Sequence, residues 1–313
     1  MKLGDSSRRA KDYRKALDHY LQVLTIDPSN GAALLAGGDS YRGLKDYSAA
    51  LNMLNRYLEI HSQDASTLAR IADVHRKLGQ WEKAVEQYEK SLAIEPDQRY
   101  ALMGLGDLYF KKQKFSEALV LWEKLLDLDP TLLRILTMVG HLHRKRHDFE
   151  KAVYRFSQAL QLDPQNPYAL FGMADALRGL GEFERAVPYW NLILSLDPRN
   201  KQVLVRAGDC FLRSGDRARA EDLFLQTLEE GYDKPALFGL AKVYRQRSEG
   251  IQAISLYERV LARNPEDVRT ILLIGETLAE TKGVKAAHGF LRSMRSIVSN
   301  SKELDLALAR LTP

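Results

Sequence analysis

The sequence lacks most of the features that would indicate a membrane protein, a disulfide-rich domain or an enzyme. Its 313 residues include one cysteine, Cys210, which excludes an intramolecular disulfide framework and a zinc site made of several cysteines. No apolar run approaches the roughly 18 residues of a membrane-spanning helix. We find no signal peptide at the start, and no phosphate-binding glycine loop, nucleophile elbow or HExxH helix. These absences predict a soluble, non-catalytic chain without cofactors, and they leave the compartment open, with the cytoplasm slightly favoured over the periplasm.

The best candidates for a metal site are three histidines, His141, His143 and His147. Residues two apart on a helix point about 200° away from each other, so His141 and His143 are poorly placed to share one ion. We expect His143 to pack between helices and Cys210 to be an inert thiol. The sequence therefore predicts no metal site.

The composition is that of a globular chain with ample apolar material. The sequence is 45% hydrophobic and 28% charged, with a formal net charge of +5. A mildly basic balance of this size is typical of an ordinary solvated surface unless the charge is localised.

The stretch from Arg99 to Leu132 indicates two short amphipathic helices that fold back on each other. Leu102, Leu105 and Tyr109 fall on one face of a helix with a period of 3.6 residues. The second helix carries its own apolar stripe, which consists of Phe115, Ala118, Trp122, Leu125 and Leu126. Such a hairpin has two apolar faces and cannot bury both alone, so it requires copies of itself on either side.

The copies are visible as a repeat of 34 residues (50 − 16, for example, for two successive alanines). The recurring alanines are Ala16, Ala50, Ala84, Ala118, Ala152, Ala186, Ala220, Ala253 and Ala287. Four residues after each alanine stands a large apolar residue: Tyr20, Leu54, Tyr88, Trp122, Phe156, Trp190, Phe224, Tyr257 and Leu291. Prolines close most copies at one offset, as Pro28, Pro96, Pro130, Pro164, Pro198 and Pro265.

This pattern resembles the tetratricopeptide repeat (TPR), a helix–turn–helix family with a period of about 34 residues. The consensus of the first helix is matched by Leu102, Leu105, Gly106 and Tyr109, and that of the second helix by Ala118, Trp122 and Pro130. The resemblance implies an all-α, right-handed superhelical solenoid and a function in protein–protein interaction.

We divide residues 1–301 into a single array of about nine repeats, R1 to R9. R1 (1–30) is incomplete because Met1 falls inside its first helix, so the natural chain either begins upstream or starts with a frayed repeat. The others are R2 (31–64), R3 (65–98), R4 (99–132), R5 (133–166), R6 (167–200), R7 (201–233), R8 (234–267) and R9 (268–301). Residues 302–313 are expected to form a C-terminal capping helix, because Leu304, Ala307, Leu308 and Leu311 share one face.

The resemblance also implies that the first helices of the repeats line a concave groove. At its ninth position most repeats carry a carboxylate, as in Asp39, Asp73, Asp107, Asp175 and Asp209. At its twelfth position most carry an arginine, as in Arg42, Arg76, Arg144, Arg178 and Arg245. Asp and Arg three residues apart on a helix can pair, which R2, R3 and R6 permit.

Further cations on the same positions are expected to be unpaired and to make the groove basic: Arg70, Lys77, Lys111, Arg134, Lys145, Arg206, Arg213 and Lys242. Aromatic residues lie between them, and arginine with aromatic residues is the usual composition of binding hot spots. The sequence therefore predicts a protein or peptide ligand that is acidic and partly apolar. The predicted partner-binding residues are Arg76, Tyr100, Phe110, Arg144, Tyr168, Phe171, Arg178 and Arg245, with Phe110 as the principal apolar anchor.

Three alternatives remain open at this point. The solenoid could self-associate into a homo-oligomer, or it could be the recognition arm of a larger enzyme or envelope-assembly protein. Nucleic acid is an unlikely ligand, because the regularly spaced aspartates would repel phosphates.

Overall fold

The computed structural model describes residues 1–298 and 301–311, and within these residues it consists of helices without strands. The helices are α1 Lys2–Arg9, α2 Tyr13–Ile26, α3 Gly31–Gly43, α4 Tyr47–Ile60, α5 Ala65–Lys77, α6 Trp81–Ile94, α7 Arg99–Lys111, α8 Phe115–Leu128, α9 Leu133–Lys145, α10 Phe149–Leu162, α11 Pro167–Leu180, α12 Phe183–Leu196, α13 Lys201–Arg213, α14 Arg217–Glu229, α15 Lys234–Gln246, α16 Gly250–Leu261, α17 Val268–Lys282, α18 Val284–Met294 and α19 Lys302–Leu311. The prediction of an all-α chain of helix–turn–helix repeats is confirmed.

Short polar side chains start the helices, and a left-handed residue turns the chain between the two helices of a repeat. The Asn30 side chain accepts a hydrogen bond from the backbone N–H of Ala33 at 3.1 Å, and the Asp64 side chain accepts one from that of Thr67 at 2.7 Å. The turn residue Lys45 has φ 63° and Gly79 has φ 72°. A single residue in this conformation reverses the chain within the short connection, so the two helices pack as a hairpin.

The recurring alanines and large apolar residues form the contact between the two helices of each repeat. Ala118 and Trp122 are both 0% exposed. A Cβ added to Gly106 would lie 2.7 Å from Cδ1 of Trp122, so only glycine lets the first helix approach the indole this closely. Gly106 and Trp122, which match the consensus of the repeat, thus form part of the contact between the two helices of the hairpin.

The chain divides into two compact units, and the N-terminal unit comprises Met1–Leu142. Within it, each helix from α1 to α7 packs against the next one along the chain, and α5 also contacts α7, the first helix of the following repeat. The first helices of successive repeats thus come together on one side of the unit. We call this side, in either unit, the inner face.

The C-terminal unit comprises His143–Pro313 and repeats the same arrangement. The first helices of R7 and R8 again contact each other, as α13 and α15, and the C-terminal helix α19 contacts α17, the first helix of R9. Leu304 of α19 is 0% exposed and packs in one cluster with Ile271 and Leu291. Residues 299–300 of R9 and 312–313 of the expected capping helix lie outside the described residues. No helix in the described part of the chain combines the length and hydropathy needed to cross a bilayer.

Candidate functional site

Aspartates at the ninth position of the first helices pair with arginines three residues later, as the sequence predicts. A nitrogen of Arg42 lies 2.9 Å from a carboxylate oxygen of Asp39, and one of Arg178 lies 2.8 Å from Asp175. In R3, Nε of Arg76 donates to Asp73 at 3.2 Å. These pairs lie on the inner face and fix the orientation of each arginine side chain.

The same aspartates also bind arginines of neighbouring repeats, which the sequence analysis did not anticipate. Arg42 donates to Asp73 of the next repeat at 2.8 Å, and Arg70 donates to Asp39 of the preceding one at 3.0 Å. In each of these two pairs the residues are 31 positions apart in the sequence, which is the 34-residue repeat minus three. In R5, Arg134 donates to Asp107 at 2.9 Å. We call these carboxylates and the arginines that contact them the Asp–Arg ladder.

The ladder corrects the expectation that the additional inner-face cations are unpaired. Several of these cations bind carboxylates of the described residues: Arg70 with Asp39, Arg134 with Asp107, Arg206 with Asp175, and Arg213 with Asp209. The expectation is wrong for Arg70, Arg134 and Arg206 because it ignored pairs between repeats. It is wrong for Arg213 because it considered pairs three residues apart on a helix, whereas Asp209 lies four residues before Arg213 on α13. Much of the positive charge of the inner face is therefore neutralised by the protein itself.

Asp175 has the most buried carboxylate of the ladder. Its side chain is 8% exposed and contacts Arg144 of R5, Arg178 of R6 and Arg206 of R7, the last at 2.5 Å. Burial alone would raise the pKa of the Asp175 carboxyl. The hydrogen bond from Arg178 and the charges of Arg178 and Arg206 outweigh burial, so this pKa lies below its ordinary value.

This shift predicts that stability depends on pH in the acid range. A carboxyl whose pKa is lower in the folded state stabilises the fold above its ordinary pKa of about 3.9, and this contribution disappears as the pH falls through the folded-state pKa. We expect urea midpoints of the wild-type protein and of Asp175→Asn to differ at pH 7 and to converge below about pH 4. A difference that stays constant from pH 7 to pH 3 would contradict the assignment.

The predicted aromatic residues fall into two groups. The rings of Tyr100 and Tyr168 are open to solvent, with 75% and 79% of each residue exposed. Phe110 is half-buried, with its ring centre 5.5 Å from those of Phe115 and Trp122 in its own hairpin. Phe171 is also half-buried, edge-on to Trp190 at 5.5 Å. The tyrosines are therefore more accessible to a partner than Phe110, which the sequence suggests as the main anchor.

The predicted arginines are oriented by carboxylates of the protein. Arg144, Phe171 and Arg178 meet around Asp175, with the Arg144 guanidinium 5.9 Å from the Phe171 ring centre. Arg76 binds Asp73 on the inner face of the N-terminal unit. Arg245 lies 2.6 Å from Glu280. Charge reversal at Arg144 or Arg178 would disturb the ladder as well as any partner contact.

The ladder is interrupted at two places, and a cleft opens at each. Among the described residues, no inner-face ion pair joins R3 to R4 or R7 to R8. The first cleft, of about 530 Å³ in the N-terminal unit, has Tyr88 and Gly104 among its lining residues, with Arg76 and Tyr100 beside them. The second cleft, of about 300 Å³ in the C-terminal unit, is lined by α13, α15 and α17 and has Phe224 and Gly239 among its lining residues. At each cleft the glycine lets the first helix of the following repeat pack directly against the buried aromatic ring of the preceding repeat.

The α13–α15–α17 cleft contains cations that the ladder does not neutralise. Lys242 stands at the ninth position of R8, where most repeats carry aspartate. Lys242 and Arg269 are exposed, and neither has a carboxylate within 4.0 Å among the residues that the structure describes. The Arg269 guanidinium lies 5.3 Å from the ring centre of Phe238. Lys242 is among the predicted inner-face cations, whereas Arg269, at the second position of the first helix of R9, is not.

A third cleft, of about 550 Å³, lies between α17 and α19 on the same face. Apolar side chains line most of it, including those of Leu272, Leu291 and Leu306. Leu306 is 59% exposed although it is a large apolar residue. The carboxylates of Glu276 and Glu303 stand at the margin. This cleft can accept an apolar side chain.

His143 and Cys210, which the sequence offers as candidates for chemistry, lie in packed environments. His143 is 4% exposed, with its Nδ1 atom 3.6 Å from an oxygen of Asp148. Burial and the neighbouring Asp209 raise the pKa of the Cys210 thiol to about 11, and its sulfur donates a hydrogen bond to the carbonyl of Phe183 at 3.4 Å. In the described part of the chain, no group of three or more His, Cys, Asp or Glu residues is placed to hold a metal ion.

Comparisons with solved structures show the same fold in other proteins. The C-terminal part of a TPR repeat-containing protein from Cytophaga hutchinsonii matches with a TM-score of 0.54 at 16% identity, covering 87% of this chain and 98% of that one. YrrB, described as a TPR protein with an unusual peptide-binding site, matches with a TM-score of 0.54 at 21% identity, covering 59% and 95%. The structure of Naa15/Naa10 bound to HypK-THB contains a chain that matches with a TM-score of 0.57 at 19% identity, covering 90% and 45%.

No curated protein matches the sequence significantly. Family models do match it along most of its length. Models described as TPR repeat or tetratricopeptide repeat cover residues 7–72, 72–113, 99–132, 140–181, 172–235 and 205–268. With the 34-residue period and the helix–turn–helix packing, these matches show that the chain belongs to the tetratricopeptide repeat family.

Proposed function

We propose that this protein is a protein-interaction module whose inner face binds an acidic, partly apolar segment of another protein. The observation that carries the proposal is a local excess of cations. Three of the five cations that line the α13–α15–α17 cleft, Arg178, Arg206 and Arg245, are paired with carboxylates of the protein. The other two, Lys242 and Arg269, have no carboxylate within 4.0 Å among the described residues and provide the excess positive charge. An acidic segment complements this cleft, because opposite charges across an interface favour encounter and fix the register of the ligand.

Exposed aromatic rings, one in each unit, support an apolar component in the ligand. Tyr100 stands at the second position of the first helix of R4, and Tyr168 stands at the same position in R6. Both rings are open to solvent and make no contribution to the core. Tyrosine is enriched in binding hot spots because its ring offers apolar area and its hydroxyl group a hydrogen bond.

The family gives further support for a scaffold. TPR proteins in general are non-catalytic scaffolds, and one structural neighbour, YrrB, is described as having a peptide-binding site. The extended inner face formed by stacked repeats is suited to such binding, since successive helices present side chains along one line.

Binding to defined peptides tests the proposal. We would measure fluorescence anisotropy with labelled 12-residue peptides of three compositions: glutamate with leucine and phenylalanine, lysine with the same apolar residues, and glutamate with serine. We expect the acidic, apolar peptide to bind at least about tenfold more tightly than the others, and its affinity to fall with added salt. Equal binding of the basic peptide, or binding of none of the three, would refute the proposal.

A further inference from the structure

Two clefts of different chemistry lie on the two sides of α17 in the C-terminal unit. We infer that they bind one partner segment together: Lys242 and Arg269 take an acidic side chain, and the α17–α19 cleft takes a large apolar side chain of the same segment. This inference rests on the proposed function and specifies the chemistry and spacing of the ligand.

The carboxylate subsite follows from the interruption of the ladder. In R6, Asp175 occupies the ninth position and is surrounded by three arginines. In R8, the ninth position carries Lys242 instead, and Arg269 of the next repeat lies in the same cleft. Both cations are exposed and lack a carboxylate within the protein's described residues, whereas nearby Arg245 is held by Glu280 at 2.6 Å. A carboxylate from outside supplies the missing partner.

The ring of Phe238 restricts the geometry of this carboxylate subsite, which two freely moving cations would not do. Its ring lies beneath Arg269, with 5.3 Å between the guanidinium carbon and the ring centre, and edge-on to buried Tyr257 at 5.6 Å. Stacking on an aromatic ring limits the positions of the guanidinium and keeps it directed into the cleft. The aliphatic part of an acidic side chain can contact the same ring.

The apolar subsite lies on the other side of α17. Leu291 is 2% exposed and belongs to the core beneath the cleft, while Leu306 is 59% exposed at its edge. An apolar side chain that enters would remove Leu306 and Leu272 from water. The clefts are separated by about the width of one helix, about 10 Å. An extended chain covers that distance in about three residues, so the acidic and apolar side chains should be about three residues apart.

Charge reversal and a change of polarity test the two subsites separately. The probe is a labelled 12-residue peptide with one glutamate three residues from one phenylalanine and serine elsewhere; a second peptide separates the two by eight residues. We expect Lys242→Glu/Arg269→Glu to weaken binding of the first peptide at least about tenfold and Leu306→Lys to weaken it about fivefold. The second peptide should bind the wild-type protein at least about fivefold more weakly than the first.

The chain offers matched controls. Lys285 and Arg292 are exposed on α18, and Lys285→Glu/Arg292→Glu changes the net charge equally without touching either cleft. Leu196 is 52% exposed on α12, so Leu196→Lys matches Leu306→Lys. Both controls should bind the first peptide as the wild-type protein does, and all variants should retain the wild-type circular dichroism spectrum.

The possible failures are distinguishable. If Lys242→Glu/Arg269→Glu and Leu306→Lys bind the peptide as tightly as the wild-type protein does, the inference is wrong while the proposed function stands. If single-stranded DNA of the same charge displaces the peptide equally well, the cleft is a general anion site and the inference is also wrong. If the wild-type protein binds no acidic, apolar peptide, both proposals fail.

Discussion

Replacing Asp175 by asparagine is expected to lower the free energy of unfolding by about 2–4 kcal/mol. The carboxylate is 8% exposed and contacts three arginines from three successive repeats. Removing it leaves these cations close together without their counter-charge, and removing one partner of a buried ionic group typically costs about 3–5 kcal/mol. The arginines retain some access to water, which reduces the expected loss. Urea denaturation followed by circular dichroism measures it.

Asp209 is the matched control for this substitution. It stands at the same position one repeat later, but its side chain is 31% exposed, and its arginine neighbours lie 3.5 Å and 3.7 Å away. Ion pairs of this kind contribute about 0–1 kcal/mol, so Asp209→Asn should change stability by less than about 1 kcal/mol. If both variants lose the same free energy of unfolding, the buried contacts of Asp175 contribute no more to stability than the exposed contacts of Asp209.

Replacing Phe224 by alanine is expected to destabilise the C-terminal unit by about 3–5 kcal/mol. The ring is 1% exposed and lies between the helices of R7 and R8, so its removal leaves a cavity. A Cβ at Gly239 would lie 2.7 Å from Cε2 of this ring, so Gly239→Ala alone should cost about 1–3 kcal/mol by overpacking. In the Phe224→Ala background the same Gly239→Ala change should cost close to nothing.

A double-mutant cycle in urea measures this coupling between Phe224 and Gly239. Gly289→Ala on α18 is the control, because a Cβ at Gly289 meets no atom within 4 Å. It should be neutral or slightly stabilising, since alanine favours a helix over glycine by about 1 kcal/mol. If the losses of stability from Phe224→Ala and Gly239→Ala are additive, Gly239 is not required for the close contact between α15 and the Phe224 ring.

Much of the fold could be predicted because the repeat makes every local signal appear several times. Ala118, Trp122 and Gly106 each have counterparts at the same offset along the chain, and all belong to the contact between two helices. The 34-residue period and the spacing of apolar positions are sufficient to predict the helices and their pairing into hairpins. The residue in the turn, such as Lys45 with φ 63°, could not be predicted, because repeats place different residue types at that position.

The inner face was only partly predictable. Pairs within a helix, such as Asp175 with Arg178, follow from sequence spacing alone. Pairs such as Arg70 with Asp39 depend on how far apart neighbouring repeats lie and how they are rotated, which sequence spacing does not define. Their separation of 31 residues is a usable signal once the packing is known. The open cations Lys242 and Arg269 were therefore difficult to distinguish from Arg206, which has a partner in the preceding repeat.

The interruptions of the Asp–Arg ladder have a consequence for how partner binding and folding are linked. Among the described residues, no inner-face ion pair joins R7 to R8, and Lys242 at the ninth position of R8 remains available together with Arg269 of R9. A ligand there would add to the ion pairs of Arg245 with Glu276 and Glu280 that already join R8 to R9. A ligand carboxylate bound at Lys242 and Arg269 makes contacts that exist only when R8 and R9 are both folded and adjacent. Such a ligand would stabilise the contact between R8 and R9, and raising its concentration would raise the melting temperature of the C-terminal unit. At a hundredfold excess over Kd, the free energy of unfolding would increase by about 2.7 kcal/mol. If the proposed ligand binds there, its concentration also determines which fraction of this unit is folded.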